Sequence, residues 1–329
     1  MRVGLIGAGR IGALHARSLA GSGKVSEVVV VDPAVERAEA TAKQVGGAAA
    51  GSAADLAGRV DAMVIAAAVE AHAPMLRLAA EWRVPVFCEK PMAVDLKTAD
   101  ALVGLLGETG TPAQIGFQRR FDSGYRRAKR LVDDGSLGRL YSVRTTTHDH
   151  EPPPVGYSDA GVFRDTLIHD FDAIRFVTGE EAVEVYADGL RAVADGFGPE
   201  RPVDTGVVLL SLSGGAKALM SGARRDPVGH DVRMELFGDG DSVSVGLDAA
   251  LPLRSVEDGA PGPVEPVPKT FLDRFGAAYR AEIDAFLEVA AGERASPCTP
   301  EDAREALRVA LACDLSRRER RPVAPGEIR

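Results

Sequence analysis

Cysteine is scarce in this chain. Cys88, Cys298 and Cys313 are the only three in 329 residues, and they lack paired spacing, so neither a disulfide framework nor a zinc site is implied and each reads as a small buried hydrophobe. Long hydrophobic runs are missing too. One of the longest, Ala62 to Val69, falls far short of the ~20 residues a helix needs to cross a bilayer. The amino terminus enters a strand at Arg2 without the pattern of a signal peptide, so a cytoplasmic protein with no membrane partner is expected. Excess positive charge is also absent: 39 Lys and Arg against 48 Asp and Glu give a formal charge of −9, which argues against nucleic acid as a partner. The single basic run, Arg317, Arg318, Arg320 and Arg321, sits at the end of a predicted helix, where cations complement the dipole.

What is present begins at once. Gly4-Leu5-Ile6-Gly7-Ala8-Gly9-Arg10-Ile11-Gly12 follows an apolar strand, and Asp32 ends the run Val28-Val29-Val30-Val31 twenty residues later. Gly7, Gly9 and Gly12 remove a Cβ where a chain must turn tightly, approach a pyrophosphate, or pack a helix against a strand. The helix opening at Arg10 and Ile11 directs unpaired amides and its positive dipole end at the diphosphate. Asp32 lies where a carboxylate accepts from both hydroxyls of an adenine ribose and repels a phosphate there. Pro33 follows, with no Arg immediately beside it, so NAD is favoured over NADP.

At this length two domains are expected, and a composition 45% hydrophobic and 26% charged is that of an ordinary globular protein. Residues 1–120 alternate between strands (2–6, 27–31, 62–67, 85–88, 113–117) and helices (11–20, 34–45, 71–82, 96–106), the pattern of a doubly wound parallel sheet. Pro33 suits the first turn of its helix and Asp95 an N-cap. Residues 121–329 form an α+β domain: helix 122–134, strand 140–147, a Pro-rich loop at 151–154, helix 165–177 stopped by Gly179, then a largely antiparallel open sheet. Its hairpins are expected at 207–212 with 216–221 and at 234–237 with 242–245. A proline-rich surface loop at 252–268 precedes two closing helices, 271–291 and 300–317.

Two clusters carry chemistry. Glu89-Lys90-Pro91 follows the stretch Val84 to Cys88, which puts Lys90 at the carboxyl end of a parallel strand, the edge where open α/β sheets bind ligands. A lysine there can bind a substrate hydroxyl and stabilise charge developing on its oxygen. In Asp165-Thr166-Leu167-Ile168-His169-Asp170, residues four apart share a helix face, so Asp165 and His169 can enter one site. An imidazole suits the removal of a hydroxyl proton, with a carboxylate to orient it. Taken singly, Lys90 also reads as a surface lysine, Asp165 as a helix cap and His169 as a structural histidine. His72 reads as packing at a helix start or as a neighbour of the nicotinamide. The group His148, Asp149, His150 and Glu151 has no strong metal-ligand spacing, and no metal is expected.

Taken in order, the glycine motif, Glu89-Lys90-Pro91, Gly116-Phe117-Gln118-Arg119-Arg120-Phe121-Asp122 and Asp165-Thr166-Leu167-Ile168-His169-Asp170 resemble the Gfo/Idh/MocA oxidoreductase family, and within it the inositol 2-dehydrogenases. The resemblance covers essentially the whole chain. It implies an N-terminal Rossmann domain that binds NAD through Gly7, Gly9, Arg10, Ile11, Gly12, Asp32, Glu89 and Lys90. It implies a C-terminal domain whose open sheet mediates a homo-oligomer, dimer or tetramer, and whose C-terminal helix packs back on the Rossmann domain. Lys90, Asp165 and His169 would be catalytic, with His169 as general base. Arg119, Thr166, His148, His150 and His230 would join them around a cyclic polyol, myo-inositol or a stereoisomer. At the His148 cluster, and at His230 where relatives can carry tyrosine, the chain departs from some inositol dehydrogenases. A dehydrogenase of another hexose or sugar derivative, and a non-catalytic NAD-binding regulator of the same fold, are the alternatives.

Overall fold

The structure, a computed structural model, describes residues 1–151, 160–192 and 203–329. Most of the expected Pro-rich loop at 151–154 lies outside these residues. The chain divides into two compact units, one of Met1–Phe121 with Ala277–Glu305 and one of Asp122–Gly276 with Ala306–Arg329.

The first unit is built on β1 (Arg2–Ile6), β2 (Glu27–Val31), β3 (Ala48–Ala49), β4 (Ala62–Ile65), β5 (Val86–Glu89) and β6 (Ala113–Gly116). They form one sheet in the order β3-β2-β1-β4-β5-β6, parallel throughout. Helices α1 (Arg10–Ala20), α2 (Val35–Val45), α3 (Val69–Trp82) and α4 (Leu96–Thr109) supply the crossovers. The strands read as continuous apolar runs because both faces of such a sheet are covered: Val3, Leu5, Val28, Val30, Val64 and Phe87 are packed with Ala16 and Leu19 of α1. Asp95 caps α4, accepting from the Thr98 amide at 2.8 Å. Pro33 lies before its helix rather than in the first turn, since α2 begins at Val35 with Ala34 as N-cap. The Asp32 carboxylate takes the Ala34 amide at 2.9 Å, which fixes the chain just ahead of the helix.

A long-range addition completes this unit. Ile283, Phe286 and Leu287 belong to its core, although they lie on α7 (Phe271–Ala290), far along the chain. Only long-range packing assigns them, because an amphipathic helix can bury its apolar face against any complementary surface.

The second unit contains α5 (Ser123–Asp133), β7 (Leu140–His148), α6 (Ile168–Thr178), β8 (Ala182–Leu190), β9 (Thr205–Leu212), β10 (Lys217–Ala223), β11 (Asp231–Gly238) and β12 (Ser242–Val245). The closing helix α8 (Pro300–Glu319) begins in the first unit and ends in this one. The sheet order is β12-β11-β7-β10-β9-β8. All pairs are antiparallel except β7 with β10.

One face of this sheet meets α6. A Cβ on Gly222 of β10 would lie 2.7 Å from the Leu167 side chain, and Thr147 of β7 donates to the Asp170 carboxylate at 2.7 Å. The side chains of opposite parity, among them Tyr186, Val207, Leu209 and Leu219, are exposed, as the two-residue period of a strand requires.

The expected helix at 165–177 is corrected at its start. Val162–Thr166 forms a π-helical turn and α6 begins only at Ile168. Tertiary contacts impose the wider turn: the Val162 amide is taken by the Val203 carbonyl at 3.0 Å, and the Arg164 Nε pairs with Asp314 at 2.9 Å. Such turns occur mostly as single insertions at functional positions.

Candidate active site

The dinucleotide side of the chemistry lies in the first unit. Gly7 stands at φ +98°, and a Cβ there would lie 2.4 Å from the Ala66 carbonyl oxygen, while a Cβ on Gly12 would lie 1.9 Å from the Gly7 oxygen. A Cβ on Gly9 would meet nothing within 4 Å. Gly7 therefore makes the turn, Gly12 permits the close packing, and Gly9 borders open space at the start of α1. That helix has no side-chain cap and no acidic residue in its first turn, so its amides and dipole favour an anion. The cradle fits the pyrophosphate of NAD.

Asp32 is 5% exposed and is held by two backbone donors, Ala8 N at 2.7 Å and Ala34 N at 2.9 Å. Burial opposes its ionisation, but these amides and Arg37 outweigh it and hold the carboxyl below the usual range.

Glu89 closes β5 and Lys90 follows it directly, at the strand end that the spacing anticipates. The Glu89 carboxylate lies 2.7 Å from Nε2 of His15, a fully buried residue of α1, and its other oxygen accepts from the Lys90 amide at 3.3 Å. The strand end that carries Lys90 is thus tied to the helix that opens on the pyrophosphate. His15 was missed by sequence reasoning because spacing along a chain does not reveal a partner 74 residues away. Arg119 is 2% exposed in the same unit.

His72 sits at the start of α3, with Nδ1 2.8 Å from the Pro91 carbonyl and Nε2 3.1 Å from that of Ala67. Burial pushes its imidazole below the ordinary histidine range, although both carbonyls and Glu89 pull it upward. Below its unfolded-state pKa of about 6.5 the unfolded chain then binds more protons than the native one, so stability is lost as pH falls through that value toward the native pKa. His72→Gln is expected to flatten this loss, as read from denaturant midpoints between about pH 7.5 and 5.5, on either side of the reference value. Equal losses in both proteins would contradict it.

In the second unit the Asp165 carboxylate is fixed from across the chain. The Arg224 Nη2 donates to Asp165 Oδ2 at 2.6 Å and to the Gly161 carbonyl at 3.2 Å. The two side chains are 8% and 17% exposed, which makes this a charge-assisted bond largely screened from water. Asp165 lies in the π turn and His169 in the first turn of α6; Arg224, which sequence reasoning missed, fixes the carboxylate. His169 lies in the first turn of α6, and Thr166 is 6% exposed.

The remaining histidines gather at the end of β7 and the segment leading into β11. His148 Nε2 lies 2.9 Å from Ser221 Oγ and its Nδ1 3.7 Å from Asp226. His150 Nδ1 lies 2.9 Å from the Asp226 carbonyl. His230, 5% exposed, has Nδ1 3.3 Å from Asp149 and leaves its buried Nε2 without a hydrogen-bond partner. Strand parity puts His148 with Ser221 and Leu219, on the face turned away from Thr147. Ser221 and Asp226 carried no signal in the sequence that would have linked them to it. Among the described residues, no group of three His, Cys, Asp or Glu is arranged to hold a metal ion, and no helix is long and apolar enough to cross a membrane.

Comparison with known proteins adds the following. Residues 1–117 match the model of an oxidoreductase family with an NAD-binding Rossmann fold, and residues 125–244 match the GFO/IDH/MocA C-terminal domain. The chain is 37% identical to a myo-inositol dehydrogenase of Streptomyces leeuwenhoekii, over 99% of this chain and 100% of that one. It is 33% identical to an inositol 2-dehydrogenase of Rhizobium meliloti strain 1021, over 98% and 99%. The crystal structure of a myo-inositol dehydrogenase from Corynebacterium glutamicum superposes with a TM-score of 0.88 at 30% identity, covering 98% of each chain.

Proposed function

The chain belongs to the GFO/IDH/MocA oxidoreductase family and is an NAD-dependent oxidoreductase, and on that premise we propose that it oxidises one secondary hydroxyl of a cyclic polyol, myo-inositol or a stereoisomer, to the 2-keto-inositol. The observation that carries this reading is the ion pair of Arg224 with Asp165 beside the turn that bears His169. A module that only binds a dinucleotide has no need of a carboxylate held by a buried arginine four residues before a histidine.

The roles follow from the groups. NAD+, when bound, supplies the acceptor for the hydride. Gly7, Gly9 and Gly12, with the first amides of α1 that include Arg10 and Ile11, hold its pyrophosphate, and Asp32 receives its adenine ribose. The Lys90 ammonium binds the oxygen of the reacting hydroxyl and stabilises the charge that grows there as the proton leaves. A ring nitrogen of His169 takes that proton. Asp165, held in place by Arg224, supports the imidazolium that results. Arg119, Thr166, His150 and His230 are assigned to the remaining hydroxyls, for which hydrogen-bonding groups discriminate far better than apolar walls; His148 is left out, because strand parity puts it on the face turned away from Thr147.

The test is NADH absorbance on mixing the purified protein and NAD+ with a panel of inositol stereoisomers, hexoses and sugar acids, with NADP+ in parallel. Turnover of an inositol with NAD+ is expected. Silence across the panel in a protein that binds NADH would overturn the polyol assignment.

A homo-oligomer formed through the open sheet is part of the same reading. Leu209 pairs in register with Leu219 and with Tyr186, and these three with Val207 are 42–56% exposed, a contiguous apolar surface of the kind that marks an interface. Leu209→Asp is expected to give a smaller species by light scattering with unchanged circular dichroism. An unchanged mass would remove this face from the interface.

A further inference from the structure

We propose that His15 is a positioning residue for the redox balance of the bound cofactor: from the core of the first unit it fixes the Glu89 carboxylate at the end of β5, where that charge favours the cationic ring of NAD+ over the neutral ring of NADH. The inference rests on the NAD assignment and is independent of the polyol.

His15 lies in the second turn of α1 and is fully buried. Its ring stands edge-on to Phe87 of β5, with centroids 5.3 Å apart, and tilted against Tyr279 of α7 at 6.1 Å. A phenyl ring would serve that packing equally well. What the imidazole adds is a donor. Its Nδ1 is buried and has no hydrogen-bond partner among the described residues, so the ring proton is assigned to Nε2, which then donates to Glu89 Oε1 at 2.7 Å. A buried donor left without an acceptor is costly, which ties this ring to the carboxylate.

Glu89 is confined on its other side as well. It pairs in register with Gly116 of β6, where a Cβ would lie 3.0 Å from Glu89 Oε2, and the same oxygen accepts from the Lys90 amide. The side chain is 12% exposed. It is a charge in a fixed place with little water to screen it.

Sheet topology shows which half of the dinucleotide that place serves. In the order β3-β2-β1-β4-β5-β6 the chain reverses its progression between β1 and β4, the switch point at which an open sheet binds a dinucleotide across its carboxyl edge. The pyrophosphate belongs to the glycine turn after β1 and the adenine ribose to Asp32 at the end of β2, so the nicotinamide half falls to β4 and β5. The ring there is positive in NAD+ and uncharged in NADH, so a fixed carboxylate stabilises the oxidised form alone. Lys90 opposes this charge in parent and variants alike and therefore drops out of the comparison.

The test is calorimetric titration of the full chain with NAD+ and with NADH, without substrate, for the parent, Glu89→Gln, His15→Met, His15→Gln and the double variant Glu89→Gln/His15→Met, each checked for folding by circular dichroism. In Glu89→Gln the NAD+ dissociation constant is expected to rise about tenfold relative to that of NADH, which raises the potential of the bound couple by about 30 mV. His15→Met is expected to move the ratio the same way by about threefold. Glutamine matches methionine in size and restores a side-chain donor, so His15→Gln should return toward the parent ratio. The double variant should go no further than Glu89→Gln, because His15 acts through the carboxylate. A merely structural His15 would weaken both ligands equally in its Met and Gln variants. That result, additive shifts in the double variant, or an unchanged ratio in Glu89→Gln overturns the proposal. Glu89→Gln keeps the shape of a partly exposed side chain, so it decides the question of charge even where a core substitution at His15 fails to fold. Weak binding of both ligands by the parent would instead overturn the cofactor assignment, which keeps the two failures apart.

Discussion

His169→Gln is expected to lower kcat by roughly 10²- to 10⁴-fold, the range for loss of a general base, while the dissociation constant for NADH stays within about a factor of two, well under one tenfold step of binding free energy. The loss follows from the chemistry of a secondary alcohol, whose proton must leave as the carbon gives up hydride. Gln at the same place keeps a polar planar group and hydrogen-bonding reach but has no basic nitrogen. NADH binding is spared because the glycine cradle and Asp32 belong to other elements. A second variant separates chemistry from position. Arg224→Met leaves His169 intact and unpins Asp165, so its kcat deficit should be smaller. Arg224→Lys should restore part of the rate by returning the charge without the fork. An Arg224→Met enzyme with kcat and KM unchanged would leave the arginine a merely structural role.

The legibility of this chain divides along the range of the interactions concerned. The parallel sheet was readable because its signals are local: an apolar strand, a glycine turn and an amphipathic helix, repeated. Asp32 and Lys90 were readable for the same reason, since each ends a strand and strand ends can be found by counting. The π turn at Val162–Thr166 was not, because it is drawn out of α geometry by Val203 and Asp314, remote in sequence. Nor was the parallel pairing of β7 with β10, since strand alternation specifies a buried face but not the neighbour on either side. The same limit hid His15 behind Glu89 and Arg224 behind Asp165. Arg37 is the instructive case, being only five residues from Asp32. Reading the residue next to Asp32 found Pro33 and no cation, but the turn into α2 carries the chain around so that its third residue faces the carboxylate.

Lys90→Met should lower kcat by about 10²- to 10³-fold, the effect of deleting one donor that stabilises developing oxyanion charge, or ~3 to 4 kcal/mol of transition-state stabilisation. Methionine keeps the length and apolar stem of lysine, so the strand end retains its packing and only the ammonium is lost. The backbone anchors survive as well: the residue 90 amide still meets Glu89, which still meets His15. NADH affinity should consequently remain near that of the parent, since the pyrophosphate is held by amides of α1 and not by this side chain. The form of the loss matters more than its size. If Lys90 bound the substrate equally well before and during proton removal, KM would rise with kcat unchanged; if it acts on charge that appears only in the transition state, kcat and kcat/KM fall together. The second pattern is expected. A variant that retained full turnover would free Lys90 from the chemistry and leave the oxygen to be stabilised by another cation, with buried Arg119 the first to be replaced.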